Sequence, residues 1–207
     1  MSKKKYEVSV PGGETRVLLH TCCAPCSSAI IECLMQHGIE PVVYYCNPNI
    51  YPENEYRIRK EECVRYAEAL GLEIVDDDYD HAAWLTAVRG LEAEPERGGR
   101  CLECFKYRLR RAACYAHEHG IKVITTTLAS SRWKSLDQIN AAGSYAVEPF
   151  ADVEWWTQNW RKGGLSERRA AIIRQYGFYN QQYCGCEFSM RSSSAVKTDG
   201  DSGEQVD

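Results

Sequence analysis

No long hydrophobic run is present in this chain of 207 residues. None approaches the roughly 18–20 apolar residues of a bilayer-spanning helix, and Met1 to Tyr6 lack the apolar core of a signal peptide. The expectation is a cytoplasmic protein with no membrane partner. Glycine-rich phosphate loops are missing too: there is no G-x-G-x-x-G, no P-loop and no Ser-Gly-Gly pyrophosphatase loop. Gly12-Gly13 precede the first strand-like run, the wrong side of a strand for cradling phosphate. A basic excess is absent, since the net charge is −4, which by itself argues against nucleic acid. No internal repeat appears. What remains is 44% hydrophobic and 26% charged, an ordinary soluble composition that suffices for one α/β domain with a real core.

Cysteine is the residue in excess. Eleven of them, an odd number with no export signal, point to metal or redox chemistry rather than a secreted disulfide scaffold. Three fall in His20-Thr21-Cys22-Cys23-Ala24-Pro25-Cys26, between the apolar run Val17-Leu18-Leu19 and a helix-like segment from Ser27 to His37. On such a strand-to-helix turn, the helix N-terminus favours thiolates. Adjacent cysteines pair poorly with each other because disulfide geometry is strict, yet both can reach a polynuclear metal centre. The plainer reading is a set of buried structural thiols.

Cys101 and Cys104, spaced C-x-x-C at the start of a helix, form a bidentate clamp. Joined with Cys22 and Cys23 they make four thiolates, the usual complement of a [4Fe-4S] cluster. Structural zinc also takes four cysteines, though normally as two C-x₂₋₄-C knuckles. A thioredoxin-like redox motif is the third reading. Cys184-Gly185-Cys186 can close only a small, strained and easily reduced disulfide ring, a two-electron store, or it is half of another metal site. Cys33, Cys63 and Cys114 fall inside helices and read as core; Cys46 ends a strand and stays ambiguous.

Along the chain, strand-like runs at Val17–Leu19, Pro41–Cys46, Leu72–Val75 and Lys122–Thr127 alternate with helices at Glu53–Leu70, His81–Gly90, Cys101 to about Gly120, Trp133–Ala142 and Leu165–Tyr176. Four alternations argue for an α/β fold: a parallel sheet with helices on both faces, followed by a short C-terminal helical segment. Residues 1–190 are expected to form a single domain and residues 191–207, rich in Ser, Asp and Gly, a disordered tail. Sites in such sheets lie beyond the carboxyl ends of the strands. The thiol turn, Asn47-Pro48-Asn49, Asp76 to Asp80 and Ser130-Ser131 should therefore converge on one crevice. Pro149 to Trp160 reads as irregular.

Charge is unevenly spread. Lys106, Arg108, Arg110 and Arg111 form one basic cluster, and Arg161, Lys162, Arg168, Arg169 and Arg174 another. The first is a candidate phosphate-binding face, weighed against a solvated helix surface. Arg132 and Lys134 could meet a phosphate. Trp155, Trp156 and Trp160 could stack a base, although a hydrophobic patch under the last helix is the commoner fate.

Taken together, these residues resemble the epoxyqueuosine reductases of the QueH family. The pieces that match are Leu18 to Cys26, Asn47-Pro48-Asn49-Ile50 with Glu55-Tyr56, Arg100 to Phe105 with Arg108-Leu109, Thr125 to Leu128 with Lys134, and Tyr183 to Ser189. The resemblance implies a nucleotide-binding-like, HUP/Rossmann-like fold. It also implies an oxidoreductase that completes queuosine at the tRNA wobble position by removing the epoxide oxygen as water and leaving the ring alkene. By position, Cys22, Cys23, Cys101 and Cys104 correspond to the [4Fe-4S] ligands, and Cys184 and Cys186 to a redox-active disulfide. An additional mononuclear iron would draw on Cys26 and an acid such as Asp80. The implied partners are the tyrosine, histidine, asparagine and aspartate tRNAs carrying epoxyqueuosine, and an unidentified electron donor. The competing class is a zinc-stapled, non-catalytic module that binds tRNA or protein.

Overall fold

The computed structural model describes residues 7–190. Residues 191–207, expected from composition to be disordered, lie outside the described residues. Five strands build one sheet: β1 (Arg16–Thr21), β2 (Glu40–Tyr45), β3 (Ile74–Asp76), β4 (Val123–Thr126) and β5 (Glu154–Trp155). Their order is β3-β2-β1-β4-β5 and every pairing is parallel. Among the described residues there are six α-helices: α1 (Ala24–Gln36), α2 (Glu53–Ala69), α3 (His81–Ala87), α4 (Gly99–Glu118), α5 (Leu136–Val147) and α6 (Leu165–Tyr176).

The strands alternate their side chains between two buried layers. Val17, Leu19, Val43 and Tyr45 join the residues of α1, α2 and α6 in one core, whereas Leu18, Val42, Tyr44 and Ile124 meet α4 and α5 in the other. Covering both faces removes any need for polar alternation, which is why β1 and β2 read as continuous apolar runs. A smaller cluster of Trp84, Val88, Cys104, Cys186 and Phe188 ties α3 and α4 to the C-terminal segment. Among the described residues, no helix is long and apolar enough to cross a membrane.

The fifth strand was not expected. Glu154 and Trp155 pair with Val123 and Ile124, two residues that carry no period of their own. Trp155 packs so tightly on α5 that a β-carbon at Gly143 would fall 2.1 Å from its ring. Trp156 and Trp160 are buried edge-to-face at 5.5 Å in the α6 layer, so the hydrophobic-patch reading holds and base stacking does not. Helix α5 begins at Leu136 rather than Trp133, because Ser135 caps it by accepting a hydrogen bond from the Gln138 N–H at 3.3 Å.

Strand β1 lies at the centre with β2 on one side and β4 on the other, so the chain leaves the sheet in opposite directions after β2 and β4. The crevice expected at such a switch opens above the carboxyl ends of β1 and β4. Here the two loops meet: the Cys22 N–H donates to Thr127 Oγ1 at 3.2 Å.

Candidate functional site

Strand β1 ends at Thr21 and α1 begins at Ala24, leaving Cys22 and Cys23 in the turn. Cys23 is the N-cap in extended conformation, and Pro25 occupies the first helical turn, where its missing N–H is no loss. Cys26 follows within that turn. The sulfurs of Cys22, Cys23 and Cys26 all lie within 4.8 Å of one another, with Cys22 and Cys23 at 3.9 Å.

Hydrogen bonds from Cys23 and then Cys26 hold the Cys22 thiol well below its usual range against the cost of burial, helped by the Lys134 charge and the Thr127 hydroxyl. Burial and the bond to Cys22 push Cys23 well up. The bond to Cys22 is also the main cause that pushes Cys26 up to about 12. Three thiols so close together form a soft donor set that suits a thiophilic metal.

Helix α4 brings the second pair. Cys101 sits in its first turn, where its sulfur accepts the Arg97 N–H at 3.3 Å, and burial pushes its thiol up to about 11. Cys104, a turn further, is buried among Trp84, Val88, Cys186 and Phe188, and burial raises its thiol as well. Cys22, Cys26, Cys101 and Cys184 line a single cavity of about 730 Å³. Of the four cysteines expected to act together, Cys22 and Cys101 border this cavity, one from each segment, whereas the sulfurs that lie within 4.8 Å of one another are those of Cys22, Cys23 and Cys26. Cys26 stands closer to Cys22 and Cys23 than the sequence suggested.

The Cys184–Cys186 segment is docked by α2. Arg59 forms a buried ion pair with Glu55 at 2.7 Å and donates to the carbonyls of Cys184 and Tyr183, at 3.2 and 3.4 Å. The Tyr51 N–H donates to the Gly185 carbonyl at 2.8 Å. Gly185 adopts φ +129°, and a β-carbon there would crowd Ile50, Arg59 and Asn49. Cys184 is exposed and Cys186 buried, both as thiols. Glu55 stood among the residues that carry the family resemblance, but Arg59 went unnoticed. Its signal was an Arg four residues after a Glu on a helix face otherwise reserved for core.

The cavity is positively lined. Arg97, Arg132, Lys134, Arg161 and Arg169 border it against one carboxylate, Glu96. Burial alone would lower the Lys134 ammonium, but Cys184, Cys22 and Cys26 hold it above its usual range.

Two expectations need correction. Asp80 is exposed and caps α3, accepting the Ala83 N–H at 2.8 Å; it does not border the cavity with Cys26. The basic cluster of α4 is not a free phosphate face. Arg108 is only 2% exposed and donates to the Cys46 carbonyl at 3.1 Å and to Asn47 Oδ1, bracing the loop after β2. Arg111 is bidentate to Asp77, Arg110 donates to the Tyr145 carbonyl at 2.6 Å, and Lys106 pairs with Glu103 at 2.8 Å.

His20, which precedes the thiols, also has a structural task. It is fully buried, and its Nε2 donates to the Cys46 carbonyl at 3.1 Å. Its Nδ1 then accepts from Thr126 Oγ1 at 2.7 Å. Burial first, then Arg108, lowers its pKa to about 3, so the ring is neutral and bridges β1, β2 and β4.

Comparison with known proteins agrees with this arrangement. The sequence model described as "Epoxyqueuosine reductase QueH" matches residues 17–192. The Haemophilus influenzae protein of that name is 47% identical over 190 residues, covering 92% of this chain and 78% of its own length. That of Histophilus somni is 47% identical, covering 91% and 77%, and that of Acinetobacter baylyi is 44% identical, covering 94% and 89%. With every motif of the thiol-lined cavity inside the matched span, this chain belongs to the epoxyqueuosine reductase QueH family.

Proposed function

We propose that this chain deoxygenates epoxyqueuosine to queuosine at the wobble position of tRNA, with a [4Fe-4S] cluster held by Cys22, Cys23, Cys101 and Cys104. The observation that carries the reading is that Cys22 of one pair, Cys101 of the other, Cys26 and Cys184 border one positively lined cavity. When bound, such a cluster would supply single-electron transfer; since four thiolates cap all four of its irons, Lewis-acid assistance to the leaving oxygen would fall to an additional iron. Cys26 offers a further thiol beside the set, the natural ligand for an additional mononuclear iron. Family membership disfavours the zinc-stapled binding module.

The chain's own groups match the balance of the reaction. Two C–O bonds of the epoxide break, one C=C bond forms, and the oxygen leaves as water, which consumes two electrons and two protons. Closing Cys184 and Cys186 from dithiol to disulfide releases two electrons and two protons. Gly185 gives the backbone the turn that this closure requires. An electron donor from outside the chain must then reopen the disulfide. Lys134 borders the cavity together with Cys22, Cys26 and Cys184, so its ammonium can stabilise negative charge developing on the substrate oxygen. The Arg-lined walls suit a phosphodiester-bearing substrate.

Anaerobic incubation of the metal-loaded protein with epoxyqueuosine-containing tRNA and a chemical reductant tests the reading. The expected result is queuosine in the digested tRNA. Unchanged epoxyqueuosine, from protein carrying zinc instead of iron, would overturn it.

A further inference from the structure

The loop between β4 and α5 carries a basic–aromatic–basic triplet, Arg132-Trp133-Lys134, on the wall of the cavity. Its backbone is pinned at every carbonyl. Arg97 donates through Nε to the Trp133 carbonyl at 2.8 Å and through Nη2 to that of Arg132 at 3.3 Å. Arg161 donates to the Lys134 carbonyl at 2.7 Å. Gln138 in turn holds Arg97, donating to its carbonyl at 2.6 Å.

While the backbone is fixed, the indole is not covered. Trp133 is 65% exposed, the most exposed large apolar side chain among the described residues. The Arg132 guanidinium lies over its ring, 4.8 Å from the centroid. A rigid, open aromatic face beside a guanidinium is the arrangement on which unstacked nucleobases settle.

The cavity explains why such a face is needed. Its roughly 730 Å³ is in the range that holds one small-molecule-sized ligand, not a folded RNA loop. A wobble nucleotide that reaches the thiols must leave the anticodon stack, which exposes a face of its neighbour. Resting on the tRNA reading above, we propose that Trp133 stacks on the base adjacent to the extruded wobble nucleotide, while Arg132 meets the phosphodiester beside it. The anticodon loop would then dock at the cavity mouth and not along α4, whose basic side chains are already engaged.

The test is equilibrium binding of a short anticodon stem-loop RNA with an ordinary guanine at the wobble position, to the metal-loaded protein and its variants, across a salt series. Stacking on an aromatic platform gives about 1–3 kcal/mol per base, so Trp133→Ala should weaken binding by about 5- to 150-fold, and Trp133→Phe should restore most of it. The salt slope of Trp133→Ala should match wild type. Arg132→Gln should reduce it by about 0.7, the loss of one single-strand phosphate contact. On epoxyqueuosine tRNA, Trp133→Ala should raise KM and leave kcat within about twofold.

Wild-type affinity in Trp133→Ala overturns the proposal even if the tRNA is turned over normally. So does self-association of the wild type that this variant abolishes, since the indole would then face a second copy. Weakened stem-loop binding without any turnover of epoxyqueuosine tRNA would leave the docking surface standing and remove the reductase reading instead.

Discussion

Replacing Gly185 by Ala is the most pointed way to perturb the redox segment without touching a thiol. Gly185 adopts φ +129°, a region that side-chain-bearing residues rarely enter. A β-carbon would lie 3.1 Å from Ile50 Cγ1, 3.2 Å from Arg59 Nη1 and 3.4 Å from Asn49 Nδ2. None of these neighbours has room to yield: Ile50 is core, Arg59 is paired with Glu55, and Asn49 is buried. Backbone strain of this kind costs about 1–3 kcal/mol, and displacing the neighbours adds to it. At about 1.4 kcal/mol per factor of ten, the balance between docked and detached Cys184–Cys186 segments shifts at least tenfold. Multiple-turnover reduction should fall by a similar factor, with metal content unchanged because Cys184 and Cys186 are not in the proposed cluster set. Gly120→Ala is the control, since Gly120 also has positive φ but open space around it. Wild-type turnover in Gly185→Ala, or loss of metal with the activity, would refute the reasoning.

Cys184→Ser and Cys186→Ser should each keep metal near wild type while multiple turnover collapses; iron analysis beside a time course separates this from a structural role. Arg108→Ala leaves Asn47 Oδ1 without its Arg108 donor and the Cys46 carbonyl with His20 alone, and should cost about 3 kcal/mol in a denaturant titration. A variant of full stability that only binds RNA less well would return Arg108 to the surface role first expected. The Arg111 hydrogen bonds outweigh burial and hold the Asp77 carboxyl below its usual range. A depressed carboxylate stabilises the fold above about pH 3.9 and loses that contribution as pH falls through the folded value. With Arg111 34% and Asp77 13% exposed, solvent screening limits the pair to about 1 kcal/mol. Asp77→Asn should therefore be less stable than wild type by that amount at pH 7 and indistinguishable from it below about pH 2. An equal deficit at both pH values would show that the pairing is not the cause.

The sheet was legible because Val17-Leu18-Leu19 and Pro41 to Cys46 are apolar without alternation, a pattern that only a two-sided core explains. Strand β5 was not, because two residues held at an edge by Trp155 packing against Gly143 leave no periodic trace. The thiol turn was readable as chemistry from spacing alone. Which thiols lie nearest one another was not, since Cys26 reaches Cys22 and Cys23 only through the tight first turn of α1. Arg108 was misjudged by its charge, although its position told otherwise: Phe105, Arg108, Leu109, Ala112 and Ala116 are the buried stripe of α4. Asp80 was drawn toward the metal by its neighbouring acids, but an Asp immediately before a helix is first of all an N-cap. The Trp133 platform escaped notice because its exposure depends on Ser135, not Trp133, starting α5.

Two thiol pairs, Cys22/Cys23 and Cys101/Cys104, are proposed to hold the iron–sulfur centre jointly. Iron and acid-labile sulfide, quantified in protein purified without oxygen, test this claim most directly when wild type is compared with Cys101→Ala, Cys33→Ala and the double variant Cys22→Ala/Cys101→Ala. About four irons and four sulfides per chain are expected in wild type and in Cys33→Ala, with both lost when Cys101 is replaced. Full iron and sulfide in the double variant would contradict the claim.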